Sequence, residues 1–361
     1  MGHVRAFSQH DIPQVSALHE KVFKPAHEAS RSSESYSAYF TRVFFEPPSR
    51  DAGLPSLVHE DDGGRITGFL GVAPRRMSLN GQRVNAAVSS QFIVDPSAHV
   101  ALVALQLAKS FLDGPQDLSI ADEANDVARR IWEGLGGTTA LLHSIYWTRP
   151  LRPARLAVSF LRNRPGLAAL AHLASPPSLF IDALATRLRR SQLFQAAPPG
   201  AADPLLPGTF TARLSDFVRP SALRVEYDDN SFAWLLDRAA RRARDGRLYG
   251  AVIRDPRGTA GWYIYVLNVE GIADVLQIVA KPGRIDEVLD HLFYGAWRQG
   301  AAAVTGRLEP PFLQALSDKY CLLHRRGPWM LVNAKRPELV RSFQSGDAWF
   351  SRFDGEWCLG Y

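Results

Sequence analysis

Residues 65–94 constrain this chain more than any other stretch. Two long apolar-rich runs, RITGFLGVAPRRM and VNAAVSSQFIV, flank Asn80-Gly81. Asn and Gly both tolerate the positive φ that a two-residue hairpin turn demands, so the sequence predicts a long antiparallel hairpin here. Such a hairpin has to bury at least one face, and the flanking segments can cover it. Ahead of it lie a short alternating strand, VRAF, and a helix opened by Asp11 with Pro13 in its first turn and Val15, Leu18 and Val22 on one side. A second amphipathic segment follows around Tyr36 to Phe45, then a strand SLVHE ended by a DDGG turn. Behind the hairpin come an apolar helix from about Ser97 to Leu112, a buried strand LSIAD, and a helix from Ala124 to Leu135 stopped by Gly136-Gly137. A strand ALLHSIYW is expected to close this unit near residue 147.

The same order of elements returns later. TFTARLSD reads as a strand and Asn230 to Ala243 as a helix; RLYGAVIRD and GWYIYVLNV are joined by a PRG turn, and ADVLQIVA follows as a third strand. The segment Ile285 to Trp297 carries an i, i+3, i+4 apolar stripe through three turns, and AAAVTG, a helix near Pro311 to Tyr320 and PWMLV complete the series. The expected fold class is therefore α/β (α+β): two domains, 1–148 and 209–361, each a mixed, mainly antiparallel sheet flanked by helices. Residues 149–208 carry nine prolines among short leucine-, alanine- and arginine-rich pieces and read as a helical connector, since a bare loop of that length is unusual.

Composition narrows the function classes. Two cysteines, Cys321 and Cys358, cannot staple 361 residues, so packed cores must supply stability; this suits a reducing, cytoplasmic setting. The first residues, MGHVRAFSQHDIPQV, lack an apolar leader stretch, and the uncharged run from Pro165 to Ile181 is interrupted by Pro176-Pro177 and too short to span a bilayer. The net charge is +6, and only six of the 42 basic residues are lysine. An arginine-rich, basic chain favours anionic partners such as nucleotide cofactors, RNA or acidic lipid. Arg149, Arg152, Arg155, Arg162 and Arg164, with Arg187, Arg189 and Arg190, leave open a peripheral membrane contact through 149–190 or a packed helical hairpin with a solvated arginine face. No HExxH or paired Cys/His spacing is present, so no metal site is expected.

Val94-Asp95-Pro96 ends a central strand just before a helix, and Asn125 opens a helix that finishes Trp132-Glu133-Gly134-Leu135-Gly136. On these residues the stretch from about 4 to 147 resembles the GNAT (Gcn5-related N-acetyltransferase) superfamily. The second half is similar by pattern, as in bacterial proteins with two fused GNAT-like domains. The resemblance implies an N-acyltransferase moving an acyl group from acetyl-CoA or a longer acyl-CoA to an amine of a small molecule or cell-envelope precursor. It implies that Phe92, Ile93 and Val94 line the thioester and that Ser97, His99 and Val100, in the stretch Ser97 to Leu102, face the pyrophosphate, with Asn125 opening the next helix. An aminoacyl-tRNA-dependent peptidyl transfer and a non-catalytic binding role are the alternatives. The chain departs from the family pattern in two places. Leu102 stands where a glycine lets backbone approach phosphate, and Trp132 stands where the family's acid tyrosine falls.

The catalytic candidates are Glu60, at a strand end beside the DDGG turn, Asp122, at the end of LSIAD, and Tyr320, near the end of a helix. The first two have competing structural uses, a turn and a helix cap. Ser89, Ser90 and Gln91 form a polar run on a strand expected to be buried, and such a run needs partners, a ligand being one.

Overall fold

The structure is a computed structural model that describes residues 2–23, 35–162, 182, 193, 195–205, 214–219, 222–243 and 246–361. The first half runs β1 (His3–Ala6), α1 (Ile12–Phe23), α2 (Tyr36–Phe40, widening into a π turn over Thr41–Phe45), β2 (Leu57–Glu60), β3 (Ile66–Leu79), β4 (Gln82–Val94), α3 (Val100–Leu112), β5 (Leu118–Ala124), α4 (Asp126–Gly134) and β6 (Thr138–Thr139). Next come β7 (Tyr146–Pro150), α5 (Pro153–Arg162), β8 (Ala201–Pro204), β9 (Leu223–Val225), α6 (Asp229–Arg242), β10 (Gly246–Asp255), β11 (Gly258–Asn268), β12 (Ile272–Ala280), α7 (Ile285–Arg298) and β13 (Ala303–Arg307). The chain ends through α8 (Leu313–Asp318), β14 (Leu322–His324), β15 (Trp329–Ala334), α9 (Pro337–Ser345), β16 (Ala348–Trp349) and α10 (Glu356–Leu359).

The expected hairpin is β3–β4, with Asn80 and Gly81 at φ 54° and 77° in its turn. Both halves have helices packed on a mixed, mainly antiparallel sheet, and in each the one long parallel pairing joins the strand before a long helix to the strand after it: β4–β5 and β12–β13. In the first half α3 buries Val103, Ala104, Leu107, Ala108 and Phe111. Gly68 makes this seat possible, because a Cβ there would strike Val103 and Leu107.

The halves exchange strands. Among the described residues, one sheet has the order β1-β2-β3-β4-β5-β15-β6 and the other β14-β7-β13-β12-β11-β10-β8. The strand expected to close the first unit is a 3₁₀ turn at Leu142–Ser144 followed by β7, which pairs with β13 and β14 of the second sheet. In return β15 pairs antiparallel with β5 of the first. Trp147 explains the direction of the swap: its fully buried ring packs edge-on against Phe293 of α7 and over Gly306 of β13. One apolar cluster accordingly runs from Phe7 to Leu359 through both halves, and a smaller one around Leu70, Leu107, Phe111, Trp132 and Leu331 lies under α3 and α4.

Three further expectations change. Of TFTARLSD, 209–213 lie outside the described residues, and Leu214–Asp216 is a 3₁₀ turn, not a strand. The stretch 149–208 contributes a strand, β8, to the second sheet as well as α5. Its first arginines do not face outward. Arg152 donates to the carbonyls of Ala301 and Trp297, Arg155 donates to that of Gly300, and Arg149 is buried beside Tyr320. Arg164, Arg187, Arg189 and Arg190 lie outside the described residues, as does the side chain of Arg162. Among the described residues no helix is long and apolar enough to cross a membrane, and no cluster of three or more His, Cys, Asp and Glu could hold a metal ion.

Candidate functional site

β4 and β5 run side by side only from Ala86↔Leu118 to Val88↔Ile120. Beyond Val88 they part, and a cavity of about 490 Å³ opens between Ser89–Val94 on one side and Ala121–Asn125 with α4 on the other. The cause is local. β4 carries one extra residue against β3, because the register moves from Phe69↔Ile93 to Gly71↔Ser90, and Gln91 sits at φ 52°. A bulge of this kind bends a strand and turns its outer edge away from the neighbour. The Gln91 side chain is held by His19 of α1, with Oε1 and Nε2 2.6 Å apart. Main-chain groups of two diverging strands are thereby presented to whatever lies between them, the arrangement that takes an extended guest as an added strand.

The walls are apolar and the inner end is charged. Phe92, Ile93, Val94, Val100, Ala104, Ala124, Val127, Ala128 and Trp132 supply most of the walls. Trp132 is buried against Phe111 and serves as packing. At the inner end stand Glu123, Arg242 and Glu356. The Gln91 amide donates to Glu356 Oε1 at 2.9 Å, and the Glu356 amide donates to Asp122 Oδ1 at 2.7 Å, so Glu356 bridges the parted strands near their point of divergence. Burial, followed by the nearby charge of Asp122, pushes the Glu356 carboxyl up to about 8. Glu123 is raised as well, by burial first, against the opposing pull of Arg352, whose Nε lies 3.3 Å from Oε1. Arg242 is fixed by donating to the carbonyl of Trp357 while its guanidinium lies over that ring.

The expected residues are thus partly brought together. Phe92, Ile93, Val94, Val100 and Asn125 line the cavity, and Asn125 also caps α4 by accepting from the Ala128 amide at 2.9 Å. Asp122 lies just beneath it, fully buried, in an ion pair with Arg307 of β13 at 2.9 Å. A carboxylate so placed holds the two halves together and has no path to a substrate. Glu60 is elsewhere: it accepts from Arg5, which is also paired with Asp11, on the β1–β2 edge. Tyr320 is exposed at the end of α8, at φ 58°, with Arg149 over its ring, and it does not line the cavity. Ser97 and His99 are exposed in the turn before α3, where Ser97 bonds to Asp95. Sequence reasoning missed Glu356 and Arg242. Neither sits in a motif, and both reach the cavity from the second half of the chain.

The second half has the matching divergence. β12 and β13 pair from Ile272↔Ala303 to Val275↔Gly306, and an extra residue, Leu276, interrupts the register with β11. That opening is filled by the chain itself. The Phe353 amide donates to the Leu276 carbonyl at 3.0 Å, and Phe350 and Phe353 are buried. Gln277 donates to Ser351 and Tyr227 and accepts from Trp262. The first divergence is open along its strands, with a cavity of about 490 Å³; at the second a smaller cavity of about 250 Å³ remains beyond the filling, lined by Ala280, Lys281, Gly283, Pro311, Phe312 and Trp349.

No family model matches the sequence, and no curated protein matches it. Solved structures do resemble it. A conserved protein of unknown function from Enterococcus faecalis, described as a probable N-acyltransferase, aligns with a TM-score of 0.58 at 12% identity, over 92% of this chain and 72% of that one. A GCN5-related N-acetyltransferase from Anabaena variabilis aligns at 0.57 and 14%, with the same two shares. Another from Kribbella flavida aligns at 0.50 and 14%, over 92% and 71%. With its paired mixed sheets, each parting after a bulged strand, this chain has the fold of the GCN5-related N-acetyltransferase superfamily.

Proposed function

We propose that the protein is an N-acyltransferase that moves an acyl group from a pantetheine thioester such as acyl-CoA to an amine, and that the cavity between β4 and β5 is where it does so. The carrying observation is the conjunction at that cavity: strand edges free of each other beyond Val88, and Glu356 bridging them at the inner end, its carboxyl accepting from the Gln91 amide and its own amide donating to Asp122. Free edges suit a pantetheine arm, which offers amides to an extended backbone as a strand would. An ammonium group must lose a proton before it attacks a thioester, and a carboxylate pushed up to about 8 is matched to accept it. The neutral amine then attacks the thioester carbonyl, the C–S bond breaks as the tetrahedral intermediate collapses, and the leaving thiolate takes the remaining proton from the nitrogen to depart as thiol; no bond to the enzyme is formed. Glu123, beside Glu356, adds a second carboxylate toward the acceptor's cation.

The test is thiol release by the intact protein supplied with acyl-CoA donors of several chain lengths and a panel of primary amines. Thiol is expected only when donor and amine are both present. Glu356→Gln is expected to lose about 100-fold or more in kcat while donor KM changes little, since removing a general base typically costs 10²–10⁴. Wild-type kcat/KM for the amine should rise with pH to a plateau above about 8. No thiol release and no thermal stabilisation by any donor would overturn the proposal.

A further inference from the structure

An anion seat between a strand and a helix needs main-chain amides that are unspent and a backbone the anion can approach closely. In the loop after β4 the amides of Ser97, Ala98, Val100, Leu102 and Val103 are spent. Asp95 Oδ1 accepts from the Ser97 amide at 2.8 Å, from Ser97 Oγ at 2.7 Å and from Lys21 Nζ at 2.6 Å. The Asp95 carbonyl accepts from the Ala98 amide, the Ala98 carbonyl from the Val100 amide, and the His99 carbonyl from the amides of Leu102 and Val103. Arg65 stands 3.7 Å from the other Asp95 oxygen, so among the described residues Lys21 and Arg65 already face a carboxylate of the protein's own. Burial works against that charge, but the bonds from Lys21 and Ser97 prevail and hold the Asp95 carboxyl down at about 2. It is ionised throughout the physiological range. A pyrophosphate would have to displace an anion already seated on these groups.

The mouth beside this loop is apolar. Phe23, Val100 and Val127 line the cavity yet are 54%, 45% and 56% exposed, and Leu102 and Leu105 of α3 are exposed as well. Exposed side chains of this kind on the first turns of α3 keep water-bound phosphate at a distance and offer contact to a less polar group.

We propose that the cavity recognises its donor through the acyl group and pantetheine arm alone, without binding a nucleotide pyrophosphate, so that a pantetheine thioester lacking the nucleotide is as good a ligand as the CoA thioester. This rests on the reading of the cavity as a thioester site. The arm can come from a free pantetheine thioester or from one carried on a protein, and the chemistry recognised is the same.

The intact protein is titrated calorimetrically with unreactive thioether mimics of acetyl, butyryl and octanoyl thioesters, each built on pantetheine and on CoA. The two carriers are expected to agree in Kd within about fivefold, where a full contact to pyrophosphate would give tenfold for each ~1.4 kcal/mol it supplied. Adenosine 3′,5′-bisphosphate, the nucleotide end alone, is expected to displace neither. Transfer from an acyl carrier protein, compared with free acyl-pantetheine, tells the two sources apart, and activity with either supports the inference. A CoA mimic tighter by more than about fivefold, or displacement by the bisphosphate, overturns the inference and leaves the acyltransferase reading standing. Failure of every mimic to bind removes the thioester reading itself, and the inference with it.

Discussion

Glu309 and Glu356 are among the carboxyl groups that burial raises, and they shape the electrostatic behaviour at the residue scale. Glu309, 7% exposed, follows β13 and is pushed up to about 8, chiefly by burial, while its Oε2 finds no hydrogen-bond partner. Its ordinary value is 4.5, so between there and about 8 the folded chain holds a proton that the unfolded chain releases. The folded state binds more protons in that window, so the contribution to stability is complete below 4.5 and declines as pH rises toward 8. Each such group contributes a slope of up to about 1.4 kcal/mol per pH unit. Glu309→Gln should therefore gain on the wild type as pH rises from about 5 to 8, read from urea unfolding at several pH values. A stability difference independent of pH would show that Glu309 is ionised in the folded chain. Glu356 adds a slope of the same sign, which Glu309→Gln leaves in place.

α10 ties the cavity to the rest of the fold at the element scale. It is four residues long and follows Gly355, whose position allows the chain to lie directly on the Asp122 carboxylate; a Cβ there would overlap that group. Asp122 cannot yield, because Arg307 and the Glu356 amide hold it from either side. Gly355→Ala is expected to push α10 outward and separate Glu356 from the Gln91 amide. The measured result should be a fall of about tenfold or more in kcat/KM for the amine together with about 1–3 kcal/mol of lost stability, the usual cost of overpacking. Unchanged activity in this variant would mean that Glu356 does not need its bridging position. The bulge at Gln91 acts from the other strand, and His19 holds its side chain in place.

The exchange of β7 and β15 makes the halves one cooperative body at the scale of the whole molecule. A fragment of residues 1–150 would leave the outer edge of β5 without β15 and β7 without β13. It is expected to show no cooperative unfolding transition and to aggregate through the bare edges, whereas the full chain should unfold in one transition with coincident fluorescence and circular dichroism midpoints. Two separated transitions in the full chain would contradict this. The exchange has a functional consequence too: the segment after β16 fills the second divergence with Phe350 and Phe353, then delivers Glu356 to the first. One half's filled cleft thus anchors the other half's candidate base.

Much of this was readable in the sequence because it depends on local periodicity and turn chemistry. Asn80-Gly81 specifies its hairpin, the stripe from Ile285 to Trp297 specifies its helix, and Asn125 specifies a cap, each through groups within a few residues of one another. The placing of Phe92 to Val94 beside a ligand came from the family resemblance and not from local pattern, and these residues do line the cavity. Partnership could not be read this way. Alternation in β7 and β15 says which face is buried, not which sheet edge receives the strand, and that choice fell to the seat of Trp147 against Phe293 and Gly306. Glu60, Asp122 and Tyr320 were reasonable by position along the chain, but burial, ion pairing and distance decide whether a group meets a substrate. Glu356, in a short terminal helix with no motif around it, becomes a candidate base only because folding sets it between two strands whose contacting residues lie 265 and 234 positions earlier in the chain.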